Sequence, residues 1–157
     1  GDTSFASMTA AWNALHEPMR ERLRELKAVH SARDAYSPKM QALHTGMSGM
    51  QIVCDESANE YEVHPLVPVH PETHKEVLFF NRAYVRAIEN MANDEAESLM
   101  AFLHLHTTDV KFMYRHRWQA GDVVIWDNRS TQHVALNDYA GFRRELRRTT
   151  IAGGRPK

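Results

Sequence analysis

Apolar side chains recur at helical spacing near the start of the chain, at Phe5, Met8, Ala11, Trp12 and Leu15. The pattern predicts a helix over residues 4–15, and the residues before it, Asp2 and Thr3, are both good N-caps. Pro18 is well placed to begin a second helix. The apolar positions of this second helix are Met19, Leu23, Leu26 and Val29.

Two β-like runs follow further along the chain, at residues 63–69 and 76–80. A Pro-Glu-Thr-His segment at 71–74 separates these runs and predicts a hairpin. Because Pro65 and Pro68 lack a backbone N–H, the first run is expected at the edge of a sheet.

The remaining segments complete the predicted architecture. Residues 32–60 are polar, follow no clean period and predict a long loop or lid. Asn93 or Asp94 is expected to cap a later helix, with Glu97 completing a capping box. Further strands are predicted at 112–118, 123–126 and 143–151, with a turn at 119–122. Helices followed by hairpin strands favour an α+β protein with a mainly antiparallel sheet.

Composition adds few restrictions. A chain of 157 residues has the length of one domain, and 43% hydrophobic with 25% charged residues is ordinary for a globular protein. The net charge of −1 gives no reason to expect nucleic acid or a membrane as a partner. The single cysteine, Cys54, excludes an internal disulfide and fits a reducing, cytoplasmic location. Apolar helices and edge strands leave room for a homo-oligomer.

The predicted strand at 143–151 carries four arginines. Side chains alternate between the faces of a strand, so Arg144 and Arg148 share one face, and Arg143 and Arg147 share the other. Arginines on an inner sheet face need anions, and a guanidinium binds a carboxylate or sulfonate through paired hydrogen bonds. The pattern alone also fits a solvated edge strand in which Glu145 balances its neighbours.

One histidine, His133, precedes these arginines by a short distance in the sequence. A single histidine near a turn is structural in many proteins, and neutral imidazole is also a common metal ligand. Its pairing with Arg144 and Arg148 places a candidate metal ligand and two candidate anion ligands on adjoining strands.

Three segments of the chain resemble the taurine/2,4-dichlorophenoxyacetate dioxygenase family of Fe(II)- and 2-oxoglutarate-dependent oxygenases. They are GDTSFASMTAAWNAL, VHPLVPVHPETHKEVLFFN and RHRWQAGDVVIWDNRSTQHVALNDYAGFRRELRRTTIAG. The last segment, with Trp-Asp-Asn-Arg-x-Thr-x-His followed by spaced arginines, is a specific signature. The resemblance covers nearly the whole chain apart from residues 32–60.

The resemblance implies a double-stranded β-helix, or jelly roll, with flanking helices. It also implies iron held by two histidines and one carboxylate, which leaves positions open for 2-oxoglutarate and O2. Carried over by position, His133 is a metal ligand, while Arg144 and Thr3 bind the distal carboxylate of 2-oxoglutarate. Arg148 matches the position that binds the anionic group of the substrate.

No residue beyond the metal ligands has an implied catalytic role. Trp126 and Asn128 are expected to shape the approach to His133 as scaffold.

The remaining metal ligands of the family form a His-x-Asp motif before its Gly-Asp-Thr segment. This sequence begins at Gly1 without an initiator Met, so we expect the C-terminal portion of a dioxygenase domain, incomplete at the N-terminus and inactive alone. His70-Pro71-Glu72 lies in a predicted hairpin, and the two histidines of His104-Leu105-His106 point apart on a helix. Neither group is expected to bind iron.

The implied function is hydroxylation of a small anionic substrate with release of succinate and CO2. Candidate substrates are a taurine-like sulfonate, which is slightly favoured, an alkyl sulfate or an aryloxyalkanoate. The second hypothesis is a non-catalytic jelly-roll module that binds a small anion or a partner.

Overall fold

The computed structural model describes residues 1–45 and 52–156, which form two three-stranded antiparallel sheets with helices. The strands are β1 Thr3–Ser7, β2 Lys27–Ser31, β3 Tyr61–Pro65, β4 Val85–Ile88, β5 Met113–His116 and β6 Thr131–Ala135. The α-helices are α1 Met8–Asn13, α2 Glu17–Arg24, α3 Arg33–Tyr36, α4 Gln41–His44 and α5 Asn93–Thr107. Short 3-10 helices lie at Pro38–Met40, Glu56–Asn59 and Val110–Phe112. The mainly antiparallel α+β prediction is confirmed.

The first sheet has the strand order β5-β1-β6, with the strand nearest the N-terminus at its centre. Thr3 lies opposite His116 in β5, and Phe5 lies opposite His133 in β6. Directly opposed residues project to the same face, and so do alternate residues of one strand. Thr3, Phe5, His116 and His133 therefore share one face of this sheet.

The presence of β1 shows that the helix predicted over 4–15 is wrong in its first half. Helix α1 begins only after Ser7, whose hydroxyl oxygen accepts the Ala10 N–H over 3.2 Å as the N-cap in place of Asp2 or Thr3. Both neighbouring strands hydrogen-bond to β1. Pairing of β1 with β5 on one side and β6 on the other outweighs the helical spacing of its apolar residues.

The second sheet has the order β3-β2-β4. The edge position of β3 confirms the prediction made from Pro65 and Pro68. The second predicted helix is too long, because α2 ends at Arg24 and Val29 lies in β2. Val29 pairs with Val63 on one side and with a residue of β4 on the other, so sheet pairing again decides the local structure.

The hairpin predicted at 71–74 is confirmed by an antiparallel bridge between Val69 and Glu76. Beyond this bridge, the Phe79 N–H donates to the Leu66 carbonyl over 2.8 Å. The second run therefore lies antiparallel to the first, although proline interrupts the ladder and no regular strand forms at 76–80.

Helix α5 buries an apolar face and confirms the helix predicted there. Its buried side chains pack in one cluster with residues of α1, α2 and β4, and the helix contributes Ala96, Leu99, Met100 and Leu103. The predicted capping box is wrong, because Ala92 is the N-cap and makes no side-chain hydrogen bond. Neither α5 nor any other helix in the described ranges has the length and apolar character needed to cross a bilayer.

Two strands predicted in the last third are wrong for the part of the chain that the structure describes. Residues 123–126 and 143–151 are not assigned to strands, and Val123 and Ile125 are 85% and 90% exposed. A strand is stabilised by backbone hydrogen bonds to a neighbour, and no described strand pairs with either segment.

The segment before these two regions, residues 112–122, matches its prediction more closely. Strand β5 lies within the predicted strand at 112–118. In the predicted turn, the Asp122 N–H donates to the Gln119 carbonyl over 3.1 Å, and Gly121 has a φ of +93°. A positive φ favours glycine at this turn position.

The segment predicted as a loop or lid at 32–60 contains α3, α4 and two short 3-10 helices in its described parts. Residues 46–51 lie outside the described residues. A role for this segment as a lid stays a prediction.

Candidate functional site

His133 lies in β6 with its imidazole against two aromatic side chains. The Trp126 and Phe5 ring centroids lie 5.0 and 6.2 Å from that of His133. Partial burial, followed by the positive charge of Arg148, lowers the pKa of His133 from its ordinary value of 6.5. The imidazole is therefore neutral near pH 7, which is the form that binds a metal ion.

Thr3 lies on the same sheet face as His133, because its neighbour at i+2, Phe5, pairs directly with that histidine. Thr3 is only 5% exposed. The indole N–H of Trp118 donates to the Thr3 hydroxyl oxygen over 2.9 Å. The structure therefore places a buried, hydrogen-bonded hydroxyl on the face that carries the candidate metal ligand.

Arg144 is half-buried and contacts Gly1, the first residue of the sequence. Its Nε donates to the Gly1 carbonyl over 2.9 Å, and its guanidinium carbon lies 5.4 Å from the centre of the Tyr139 ring. A cleft of about 460 Å³ opens beside it, and Asp2 and Trp118 also line this cleft. Among the described residues, no carboxylate forms an ion pair with Arg144.

The two arginines beside Arg144 and Arg148 in the sequence have different surroundings. Arg143 and Arg147 both reach Glu145, with side chains that are 87% and 94% exposed. These two therefore match the solvated alternative, in which Glu145 balances its neighbours.

Arg148 does not share a strand face with Arg144, since 143–151 is not a strand, and the alternation argument is therefore wrong. Arg148 is exposed, but its charge contributes to the lowered pKa of His133. Burial raises the pKa of Tyr84 to about 12. The positive charge of Arg148 acts on that hydroxyl too, in the direction that lowers its pKa. Arg148 thus lies within electrostatic range of the His133 imidazole.

Side chains of the loop that leads into β6 contact one another and the first residues of that strand. The Trp126 indole N–H donates to the Asn128 side-chain oxygen over 2.8 Å, and the Trp126 ring packs on His133. These contacts agree with a scaffold role for both residues.

A buried histidine anchors the same loop to the hairpin. His70 is 6% exposed, and its Nε2 lies 2.9 Å from a carboxylate oxygen of Asp127. The backbone N–H groups of Glu72 and Thr73 donate to His70 Nδ1 over 3.3 and 3.2 Å. Because Nδ1 is an acceptor, the ring proton lies on Nε2 and is donated to Asp127.

Arg129 closes this network. Its guanidinium bonds both carboxylate oxygens of Asp127 and also donates to Glu72 over 2.9 Å. The hydrogen bonds from Arg129, and a weaker one from His70, lower the pKa of Asp127 well below its ordinary value. We define these four residues, His70, Glu72, Asp127 and Arg129, as the hairpin anchor.

Ligand-type atoms of His70, Glu72 and Asp127 lie within 4.8 Å of one another, a spacing that a metal ion could occupy. The guanidinium of Arg129 already satisfies both carboxylates, so the hairpin anchor is a closed ion-pair network. The expectation that His70-Pro71-Glu72 does not bind iron stays a prediction.

Iron does not fit the described residues by themselves. In the parts of the chain that the structure describes, no group of three ligand atoms forms around His133. Of the other predicted non-ligands, His106 contacts the Ala11 carbonyl over 2.7 Å and serves in packing. Sequence reasoning named His133, Thr3, Arg144 and Arg148 as candidates, and their roles stay predictions. It did not name Trp118, which contacts Thr3, although the alternation of residues 112–118 was an available signal.

The sequence model of the family described as Taurine catabolism dioxygenase TauD, TfdA family matches residues 1–150. An alkylsulfatase from Acinetobacter baylyi is 38% identical over 154 residues, which cover 98% of this chain and 48% of the relative. An alpha-ketoglutarate-dependent sulfate ester dioxygenase from Pseudomonas putida is 39% identical, with 99% and 52% covered. The chain thus spans about half the length of these curated relatives.

The crystal structure of a taurine dioxygenase from Burkholderia xenovorans superposes with a TM-score of 0.66 at 30% sequence identity. The superposition covers 84% of this chain and 39% of that structure. The sequence match along residues 1–150 and the structural match agree, and the chain belongs to the taurine catabolism dioxygenase TauD, TfdA family.

Proposed function

We propose that this chain is part of a Fe(II)- and 2-oxoglutarate-dependent dioxygenase that hydroxylates a small anionic substrate and releases succinate and CO2. One observation carries the proposal: His133 and Thr3 share a sheet face, and Trp118 links Thr3 to the cleft that holds Arg144, whose guanidinium has no carboxylate partner among the described residues. The Pseudomonas putida relative, which is named as an alpha-ketoglutarate-dependent sulfate ester dioxygenase, supports the choice of cosubstrate.

His133 is the proposed iron ligand of this chain. Its neutral imidazole suits a site of two histidines and one carboxylate. The other two ligands are proposed to come from residues other than those described. Bound iron would activate O2 against 2-oxoglutarate, while this chain holds both organic molecules in place.

Arg144 and Thr3 are the proposed holders of the distal carboxylate of 2-oxoglutarate. A half-buried guanidinium without a carboxylate partner among the described residues suits an incoming anion, which it can bind through two parallel hydrogen bonds. Fixing the far end of the molecule sets the direction in which its keto acid end points.

Arg148 is proposed to attract the anionic group of the substrate, because it is exposed to solvent and its charge reaches His133. Among a taurine-like sulfonate, an alkyl sulfate and an aryloxyalkanoate, we place the alkyl sulfate first. The names of the two curated relatives, an alkylsulfatase and a sulfate ester dioxygenase, support that order.

The two antiparallel sheets are proposed to be parts of one jelly roll in a cytoplasmic protein. The likeness to the taurine dioxygenase crystal structure supports the fold. The presence of only one cysteine, Cys54, supports the compartment.

The test is succinate formation by the protein that contains this chain, with ferrous iron, O2 and 2-oxoglutarate. Hexyl sulfate, taurine and 2,4-dichlorophenoxyacetate are compared, and we expect succinate in step with the consumption of one of them. Sulfate release would accompany oxidation of hexyl sulfate. An absence of succinate with every candidate, in protein that still binds 2-oxoglutarate, would favour the anion-binding module.

Arg148→Ala should raise KM for the anionic substrate while leaving 2-oxoglutarate affinity unchanged. The matched control is Arg147→Ala, since Arg147 is 94% exposed and lies beside Arg148 in the sequence. Equal effects of the two changes on KM would contradict the assigned role of Arg148.

A further inference from the structure

Trp118 makes a contact with Thr3 whose effect on the Thr3 hydroxyl is not part of the proposed function. Its indole N–H donates to the Thr3 hydroxyl oxygen over 2.9 Å, and Thr3 is 5% exposed. Trp118 also lines the cleft beside Arg144. One side chain therefore connects the buried hydroxyl with the cleft that contains the Arg144 guanidinium.

The direction of this hydrogen bond determines what the hydroxyl can do next. An indole N–H only donates, while a threonine hydroxyl has one hydrogen to donate and two lone pairs that accept. With a lone pair engaged by Trp118, the Thr3 hydrogen is directed elsewhere. Among the described residues, no acceptor receives it. A buried hydroxyl in this state is prepared to donate to an acceptor such as a carboxylate oxygen.

The orientation of Trp118 is fixed by the turn that follows it. The His116 ring packs edge-on against Trp118 with centroids 4.6 Å apart. His116 Nε2 lies 3.0 Å from a carboxylate oxygen of Asp122, and the same oxygen accepts the Gln119 N–H over 2.9 Å. The turn at 119–122 thus holds His116, which holds the indole against Thr3.

We propose that Trp118 is a positioning residue that orients the Thr3 hydroxyl as a donor to the distal carboxylate of 2-oxoglutarate, beside Arg144. This inference rests on the proposed function, because it assumes that the carboxylate lies there. Trp118 acts through Thr3, and it fixes the direction of a hydrogen bond without supplying charge.

The test compares two keto acids that differ at the far end of the molecule. Binding of 2-oxoglutarate and of 2-oxovalerate, which lacks the distal carboxylate, is measured by calorimetry with Mn(II) and without O2. Trp118→Phe keeps a ring but removes the N–H. We expect it to weaken 2-oxoglutarate binding by about 10- to 150-fold, as for a hydrogen bond to a charged group, and to leave 2-oxovalerate binding unchanged.

Two further variants keep the test decisive. Thr3→Val should weaken 2-oxoglutarate binding similarly, and adding Trp118→Phe to it should have no further effect, since the two residues act as one unit. Trp126→Phe also removes an indole N–H, but that group bonds Asn128. The ratio of the two keto acid affinities should therefore not change in Trp126→Phe.

Unchanged 2-oxoglutarate binding in Trp118→Phe, equal weakening of both keto acids, or additive effects with Thr3→Val would each overturn the inference. Failure of the unaltered protein to bind 2-oxoglutarate would instead overturn the proposed function. The two failures are therefore distinguishable.

Discussion

At the scale of single residues, Arg144 has an unusual position. Its guanidinium is half-buried against Gly1 and Tyr139, and none of the described carboxylates pairs with it. If it binds the distal carboxylate of 2-oxoglutarate, Arg144→Ala should weaken that binding by about 2–3 kcal/mol, because paired charge-assisted bonds are lost. Calorimetric titration of 2-oxoglutarate into the Mn(II)-loaded protein measures the change.

The control for this change is Arg147→Ala. The side chain of Arg147 is 94% exposed, and its guanidinium forms a weak ion pair with Glu145 at 3.9 Å. Its removal should therefore leave 2-oxoglutarate affinity unaltered. A wild-type affinity in Arg144→Ala would refute the role assigned to that residue.

His30 should make stability depend on pH. Burial, with a smaller effect from the charge of His64, lowers the pKa of His30 to about 4 from 6.5. The folded state therefore holds this side chain neutral, while the unfolded chain takes up a proton below pH 6.5. Stability should fall as pH decreases from 6.5 towards 4, and His30→Gln should reduce that fall. Urea unfolding at pH 7.5 and pH 5 measures the difference.

His16→Gln is the matched control, because His16 is exposed and makes no side-chain bond as the N-cap of α2. It should keep the pH dependence of the unaltered protein. If His30→Gln loses as much stability between pH 7.5 and pH 5 as the unaltered protein, burial of His30 is not the cause of the pH dependence of stability.

At the scale of elements, the hairpin anchor connects the turn at 71–74 to the loop that leads into β6. Asp127 accepts hydrogen bonds from His70 and Arg129 within this network. Asp127→Asn would turn an amide NH2 towards these donors and remove the charge that Arg129 pairs with. We expect a loss of about 1–2 kcal/mol in the free energy of unfolding, measured with urea.

Glu145→Gln provides the comparison for that variant. It also breaks an arginine–carboxylate pair, but its partner Arg143 is 87% exposed. Exposed pairs contribute at most about 1 kcal/mol, so this change should have the smaller effect. Equal losses in the two variants would show that the hairpin anchor gives β6 no special support.

Sequence patterns predicted some elements well and others poorly, for identifiable reasons. Helix α5 was predictable because it buries one side of a regular helical repeat. Strand β1 was not, because Phe5 fits a helical spacing equally well and only pairing with β5 and β6 selects the strand. At 143–151 the alternating pattern was present, but no described neighbour pairs with it, so alternation alone was insufficient.

At the scale of the whole molecule, one apolar cluster joins α5 to α1, α2 and β4, while the candidate site lies around the other sheet. Trp12, Leu23 and Leu103 are each at most 1% exposed in this cluster. The chain matches about half the length of its curated relatives.

The candidate site was predictable where identity and order along the chain carry the chemistry. His133, Thr3, Arg144 and Arg148 were recognisable as a group from the signature segment and from the Gly-Asp-Thr start. Their different surroundings were not recognisable, because burial depends on residues that are distant in sequence. Arg144 is half-buried by Gly1, which lies 143 residues away, while Arg148 is exposed.

The sequence by itself indicated the family through the resemblance of three segments and predicted the antiparallel α+β character from spacing. It also supplied the candidate residues for binding iron and an anion. Only the tertiary structure decided that residues 3–7 form a strand, that Thr3 and His133 share its face, and that Trp118 donates to Thr3. The physical reason is that cross-strand pairing and burial are set by long-range contacts, which local periodicity does not contain.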